Sequence, residues 1–321
     1  MRATFGLFWL MIVALASNAV HAQAYPNRPV KIIVPFAAGS GSDTYARLIA
    51  EDMSTAFSQN FIVENRAGAS AQIGTMAVAR APADGYTLLI ATNTAHSANP
   101  ALFKKLPYEP LTDFTAIGRI LYMPYLLLVP KASPFQSVAG LIEGARAAPN
   151  TLNYGYGNSS SQVISAEFSR QAQLLATGVP YKSMPPALVD LLAGQLNYLF
   201  IDVTTAQTQL KSGRVKVLGF SLAKRSAQLP DVPAIAETAG LAGFEITSWV
   251  GLVGPAGLPA DVVQRLNTQL QRTLSKPEIR DKLVAMGAEV VPSTAAEMDQ
   301  FMRQQLLSWT GKIRSAGIVP E

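Results

Sequence analysis

The chain has 321 residues, 49% of them hydrophobic, and 26 Lys and Arg against 21 Asp and Glu, a formal charge of +5. That length and apolar content can bury one large core or two ordinary ones. There is no cysteine, which excludes disulfides, thiolate nucleophiles and thiolate zinc sites, and the basic residues are scattered, with no stripe that reads as nucleic-acid binding.

The first residues read as a signal peptide, 1–24. Arg2 supplies the positive start, Phe5–Ala16 the apolar stretch, and cleavage fits after Ala22 or Ala24. This predicts export to the periplasm. No later apolar run approaches the roughly 18 residues of a membrane span, so the mature chain is expected to be soluble and not membrane-embedded. Of the two histidines, His21 lies in the signal segment and His96 in the small polar stretch TNTAHSANP. His96 reads as a loop or helix-cap residue. A single usable histidine argues against a His-based metal site and against a Ser-His-Asp triad, so no metal, cofactor or catalytic residue is expected.

Strand and helix patterns then alternate, which predicts an α/β fold with largely parallel sheets. Val30–Phe36 is a buried strand, Ala37–Ser42 a Gly/Ser loop, and Thr44–Phe57 a helix with Leu48, Ile49, Met53 and Phe57 on one face. Phe61–Glu64 is a short strand, Ile73–Ala81 a helix, and Tyr86–Ala91 a strand ending in the polar loop Thr92-Asn93-Thr94. Two later segments read as copies of one junction: Tyr125–Pro130 and Trp249–Pro255 are apolar strands, each followed by a loop and a helix start. Between them lie strands at Leu152–Tyr156, Gly178–Tyr181, Tyr198–Asp202 and Val215–Phe220, and helices at Gln162–Ala172, Ala187–Ala193 and Thr205–Ser212. The layout predicts a discontinuous lobe, 25–124 with 246–321, and a second lobe, 125–245, joined by two hinge strands around a cleft. A single large sheet is the alternative.

The strand ends carry the candidate chemistry. A strand that delivers glycines to a helix N-terminus makes an anion site, because free amides point outward and the helix dipole favours negative charge. The loop through Gly39 and Gly41 fails as a dinucleotide fingerprint, since Thr44 holds the third glycine position, and it lacks the P-loop ending. Ser42 or Asp43 is expected to cap the helix; a plain tight turn is the other reading. In Gly157–Ser161, Ser159, Ser160 and Ser161 can cap the next helix and offer hydroxyls; no nucleophile elbow is present. Asp202 ends a strand before a helix, which suits either a cap or a partner for an amine or hydroxyl on a ligand. Lys182 is an anion contact or a surface charge.

The stretches YPNRPVKIIVPFAAGSGSDTYAR, FIVENRAGASAQIGT, ARAPADGYTLLIAT, KKLPYEPLTDF, VPYKSMPPALVDLLAGQLNYLF, LPDVPAIAETAG and SWVGLVGPAGLPADVVQRLN, in this order, resemble the tripartite tricarboxylate transporter substrate-binding proteins, or Bug receptors. The resemblance implies a two-lobed periplasmic-binding-protein fold, type II-like, that closes on a small carboxylate-bearing acid for membrane transporter subunits, without a cofactor and as a monomer. It implies ligand contacts at Phe36, Ala38, Gly39, Ser40, Thr92, Asn93 and Thr94 from one lobe, and Gly157, Ser159, Ser160, Tyr181 and Asp202 from the other. The sequence departs from the family pattern at Gly39-Ser40-Gly41, at Ser159-Ser160-Ser161-Gln162-Val163 and at Tyr181-Lys182-Ser183. A ligand-sensing subunit of a membrane signalling system, and an enzyme on the same scaffold, are the alternative functions.

Overall fold

The computed structural model describes residues 25–226 and 229–320; the expected signal segment, 1–24, lies outside them. The chain opens with β1 (Val30–Val34), α1 (Gly41–Phe57), β2 (Phe61–Asn65), α2 (Gln72–Ala79) and β3 (Thr87–Thr92). A π turn (Thr94–Ala98) and the short α3 (Asn99–Leu102) lead to a ten-residue strand, β4 (Phe114–Met123). After Pro124 come β5 (Tyr125–Pro130), α4 (Val138–Ala147), β6 (Leu152–Tyr156), α5 (Ser159–Gln171), β7 (Ala176–Pro180), α6 (Met184–Leu192), β8 (Tyr198–Asp202), α7 (Val203–Lys211) and β9 (Val215–Phe220). The return is β10 (Ser248–Pro255), followed by α8 (Ala260–Ser275), α9 (Pro277–Ala285), β11 (Glu289–Val290) and α10 (Ala295–Ser315).

The strands form two sheets rather than one, ordered β11-β4-β10-β3-β1-β2 and β7-β6-β8-β5-β9. They are mixed, not largely parallel. β1 pairs in parallel with β2 and β3, and β6 with β7 and β8. β10 runs antiparallel to β3 and β4, and β5 antiparallel to β8 and β9. The reason is the double crossing: each of these strands enters its sheet from the other sheet's side, with no crossover helix before it to reverse its direction. The two segments that look alike in sequence thus hold equivalent places, one central antiparallel strand in each sheet.

Helices begin two or three residues before the apolar spacing predicts: α1 at Gly41, α5 at Ser159, α6 at Met184 and α7 at Val203. In α1 and α5 the first turns are polar or small and are set by the caps Ser40 and Asn158, which hydrophobic periodicity does not see, while α6 and α7 open on the isolated core residues Met184 and Val203. β4 and β11 were not expected. Arg119 interrupts β4, and the structure satisfies it locally: Arg119 Nε donates to Val291 O at 3.0 Å, and the guanidinium lies 4.7 Å from the Phe301 ring centre.

Three apolar clusters fill the layers. One lies under α6 and α7, and one between the first sheet and α10. The largest is continuous from α1 and α8 through Met123, Tyr125, Phe244 and Ile246 to α4 and α5. The core therefore runs through the crossings.

Ser221 fastens those crossings together. Its N–H donates to Tyr125 O and its hydroxyl accepts from Tyr125 N, each at 2.8 Å. The hydroxyl also donates to Ile246 O at 2.8 Å, and Ile246 N donates to Ser221 O at 3.2 Å. Ser221 has no solvent exposure. Ser221→Ala leaves the Tyr125 amide and the Ile246 carbonyl short of a partner, which should lower unfolding stability by about 1–3 kcal/mol. Urea denaturation checks this; a change under about 0.5 kcal/mol, the size of an ordinary surface substitution, would show that the knot is not structural.

Candidate ligand-binding site

The loop after β1 spends most of its amides internally. The cap of α1 is Ser40, not Ser42 or Asp43: its φ of −71° and ψ of 158° are extended, and its hydroxyl accepts from Asp43 N at 3.3 Å. Asp43 sits in the first turn, and its carboxylate receives Gly39 N–H at 3.0 Å, Asn65 Nδ2 at 2.9 Å and the Arg47 guanidinium. Burial works against that charge, but the hydrogen bonds from Arg47, Gly39 and Asn65 outweigh it and hold the carboxyl below its ordinary range. The helix dipole is thus partly matched by the chain's own acid. Ala37 N donates to Ser183 Oγ at 3.4 Å and Gly41 N to Thr205 Oγ1 at 2.9 Å, both partners lying beyond the crossings. Ala38 and Gly39 stand on the exposed side of the loop. Gly39 has φ +79°, the conformation that favours glycine, and a side chain there would meet open space.

At the end of β3 the chain does not enter a loop. Asn93 leads directly into the π turn, a rare geometry that recurs at functional sites. The Asn93 side chain does not cap this turn, so its amide is released: Nδ2 donates to Ser160 Oγ, and Oδ1 accepts from Ser248 Oγ. His96 is not a loop or cap residue. It is wholly buried, its ring 4.9 Å from Phe114 and 6.1 Å from Trp249. Burial pushes its pKa down to about 4, so the ring is neutral at ordinary pH, and its Nε2 has no partner among the described residues.

Asn158, one residue ahead of the serines, caps α5 by accepting from Ser161 N at 2.8 Å. Ser159 and Ser160 are therefore free of capping and face the first sheet. Ser159 Oγ donates to Asn99 Oδ1 at 2.6 Å, and Ser160 receives Asn93. Gly157 packs beneath α6, where an added Cβ would lie 2.1 Å from the Ser183 carbonyl carbon. Tyr181 points elsewhere, donating to Asp190 Oδ2 at 2.6 Å, and Lys182 is exposed. Asp202 caps α7: Oδ1 accepts from Thr205 N at 2.8 Å and Oδ2 from the Thr205 hydroxyl at 2.7 Å.

These strand ends enclose a small cavity of about 20 Å³, the two sides standing close together. Of the expected residues, Phe36, Ser40, Thr92, Asn93, Thr94 and Asp202 line it. Ala38, Gly39, Gly157, Ser159, Ser160 and Tyr181 are not among its lining, although Ser160 bonds to the lining residue Asn93. The sequence reading missed Met123 and Tyr125 at the first crossing, Ser248 at the second, and Asn158 and Met184. Only Asn158 carried a signal, as an Asn before a run of serines. The lining offers hydroxyls and amides, one carboxylate, and no Lys, Arg or His. Among the described residues no group of three or more His, Asp or Glu could hold a metal ion, and no helix is long and apolar enough to cross a membrane.

Gly41 sets how near the two sides come. A Cβ there would lie 2.5 Å from Asp202 Oδ1 and 3.3 Å from Met123 Sδ. Alanine suits the first turn of a helix, so Gly41→Ala should hold the lobes apart without unfolding either. The expected result is a larger radius of gyration by small-angle scattering at unchanged helix content; an unchanged radius would show that this contact does not govern closure.

The family described as the tripartite tricarboxylate transporter family receptor matches residues 45–318. A protein of R. palustris solved with adipate is 35% identical with a TM-score of 0.90, over 92% of this chain and 100% of that one. The periplasmic binding protein BugD is 32% identical with a TM-score of 0.88, again over 92% and 100%. MatC of Rhodopseudomonas palustris, solved with malate, is 33% identical with a TM-score of 0.84, over 90% and 100%. The chain belongs to the tripartite tricarboxylate transporter receptor family, whose members are two-lobed solute-binding proteins.

Proposed function

We propose that this protein is a periplasmic receptor that closes on a small carboxylate-bearing acid and presents it to a tripartite tricarboxylate-type membrane transporter. The observation that carries the reading is the cavity between the sheets, lined from both sides by neutral hydrogen-bond donors. Two similar proteins, solved with adipate and with malate, support it. Ser40, Thr92, Asn93 and Thr94 would serve from residues 25–124 and 246–321, joined by Ser248. Tyr125, Asn158, Ser160 and Asp202 would serve from 125–245. The first 22 or 24 residues would direct export and be removed from the mature chain.

Hydrogen bonds to a carboxylate contribute about 1.5–3 kcal/mol each. A few of them, less the ordering cost, give a dissociation constant in the micromolar range, about −8 kcal/mol. The protein is a binder and not an enzyme on this reading. Its one described histidine is neutral and buried, and its ring bonds a backbone carbonyl and, among the described residues, no hydroxyl. Selectivity comes from polar groups that a wrong ligand leaves unpaired.

Thermal-shift measurements on the mature chain with succinate, malate, adipate, citrate and glutamate test the proposal. A ligand at a hundredfold excess over its dissociation constant stabilises by about 2.7 kcal/mol, so at least one acid should raise the melting temperature in a concentration-dependent way. No rise with any of them, on protein shown by mass spectrometry to carry no retained ligand, would overturn it.

A further inference from the structure

We infer that the cleft selects an acid that also carries a hydroxyl or ammonium group, and that Asp202 is the residue that receives this donor. The inference rests on the receptor reading above and names the class of acid within it.

Asp202 is 4% exposed and lines the cavity. Its hydrogen bonds come from its own strand end and the first turn of α7, Thr205 supplying both an N–H and a hydroxyl. No ion pair among the described residues involves it. No basic side chain lines the cavity. A buried carboxylate held only by neutral donors is short of compensation, and burial accordingly pushes its pKa up. A ligand donor supplies what the protein withholds.

The carboxylate is also aimed. Gly41 N–H donates to Thr205 Oγ1, and that hydroxyl in turn donates a hydrogen bond to Asp202 Oδ2. The Gly41 bond crosses the cleft, so the Thr205 hydroxyl that holds Asp202 is itself oriented from the opposite lobe when the lobes meet. Closure leaves no space at Gly41 for even a methyl group, which brings Asp202 against the backbone of the opposite lobe. The ligand's own carboxylate must lie away from Asp202, because two like charges in one dry site repel. The neutral side chains of Asn93, Tyr125, Asn158 and Ser248 line the same cavity. The matching ligand is therefore polar in two senses, an acceptor toward neutral donors and a donor toward Asp202. An unsubstituted diacid leaves Asp202 buried with only its neutral capping donors and none from the ligand, the situation that produces discrimination in sites built around a hydrogen bond.

Calorimetry on the mature protein with matched sets tests this. Succinate, malate and aspartate differ only at one carbon, as do adipate and 2-aminoadipate. In whichever series binds, the substituted acid should bind at least tenfold tighter than its parent, and the malate-to-aspartate ratio tells hydroxyl from ammonium. Asp202→Asn keeps an oxygen to cap α7 and should shrink that preference below threefold. Equal or tighter binding of the unsubstituted parent, or a preference unchanged in Asp202→Asn, overturns the inference while the receptor reading stands. Binding of no acid from either series overturns the inference, and silence of citrate and glutamate as well overturns the receptor reading with it.

Discussion

Two strands must pass between the sheets at the same place, and Ser221 makes that possible. One buried side chain satisfies the amide of Tyr125 on the outgoing crossing and the carbonyl of Ile246 on the returning one. Pro124 precedes Tyr125 and has no amide to extend either ladder. A short, fastened junction of this kind lets the lobes rotate without sliding. It also positions the site, because Tyr125 and Ser248 are the first residues of the two crossing strands and both line the cavity.

The cleft shows how a helix N-terminus can be present and still not be the anion site. The amides after β1 are largely consumed by Asp43, by Ala37 O and by hydroxyls from across the cleft. What faces the cavity instead is a set of hydroxyl and amide side chains, which can shift between donor and acceptor roles. Such a lining can donate to a carboxylate without a cationic clamp. It also suits a receptor that must release its ligand, since a desolvated salt bridge would raise the cost of opening.

Much of the fold was readable because its strands are short segments rich in apolar and aromatic residues, set between turn and helix signals. Tyr125–Pro130, Leu152–Tyr156, Tyr198–Asp202 and Val215–Phe220 have the bounds that the sequence predicts. The repeated junction at the two central antiparallel strands pointed to a chain that crosses twice. β4 escaped because Gly118 and Arg119 interrupt it, and the bonds that settle Arg119 come from residues about 170 positions away. His96 was misread for a related reason: its neighbours are small and polar, while the aromatic rings that bury it belong to other strands. At the site, the strand ends were legible as places but not as contacts. Nothing in the sequence around Ser221 or Ser248 marks them, and which serine of a run caps a helix depends on the backbone of the residue before it.

The absence of cysteine makes closure directly measurable. Ala38 and Lys182 are exposed neighbours of Ala37 and Ser183, whose backbone amide and hydroxyl meet across the cleft at 3.4 Å. Spin labels attached at Ala38→Cys and Lys182→Cys report the distance between the lobes by pulsed electron resonance. A bound acid should shorten and narrow that distance distribution. A distribution unchanged by a ligand that calorimetry shows to bind would contradict capture by closure of the two lobes.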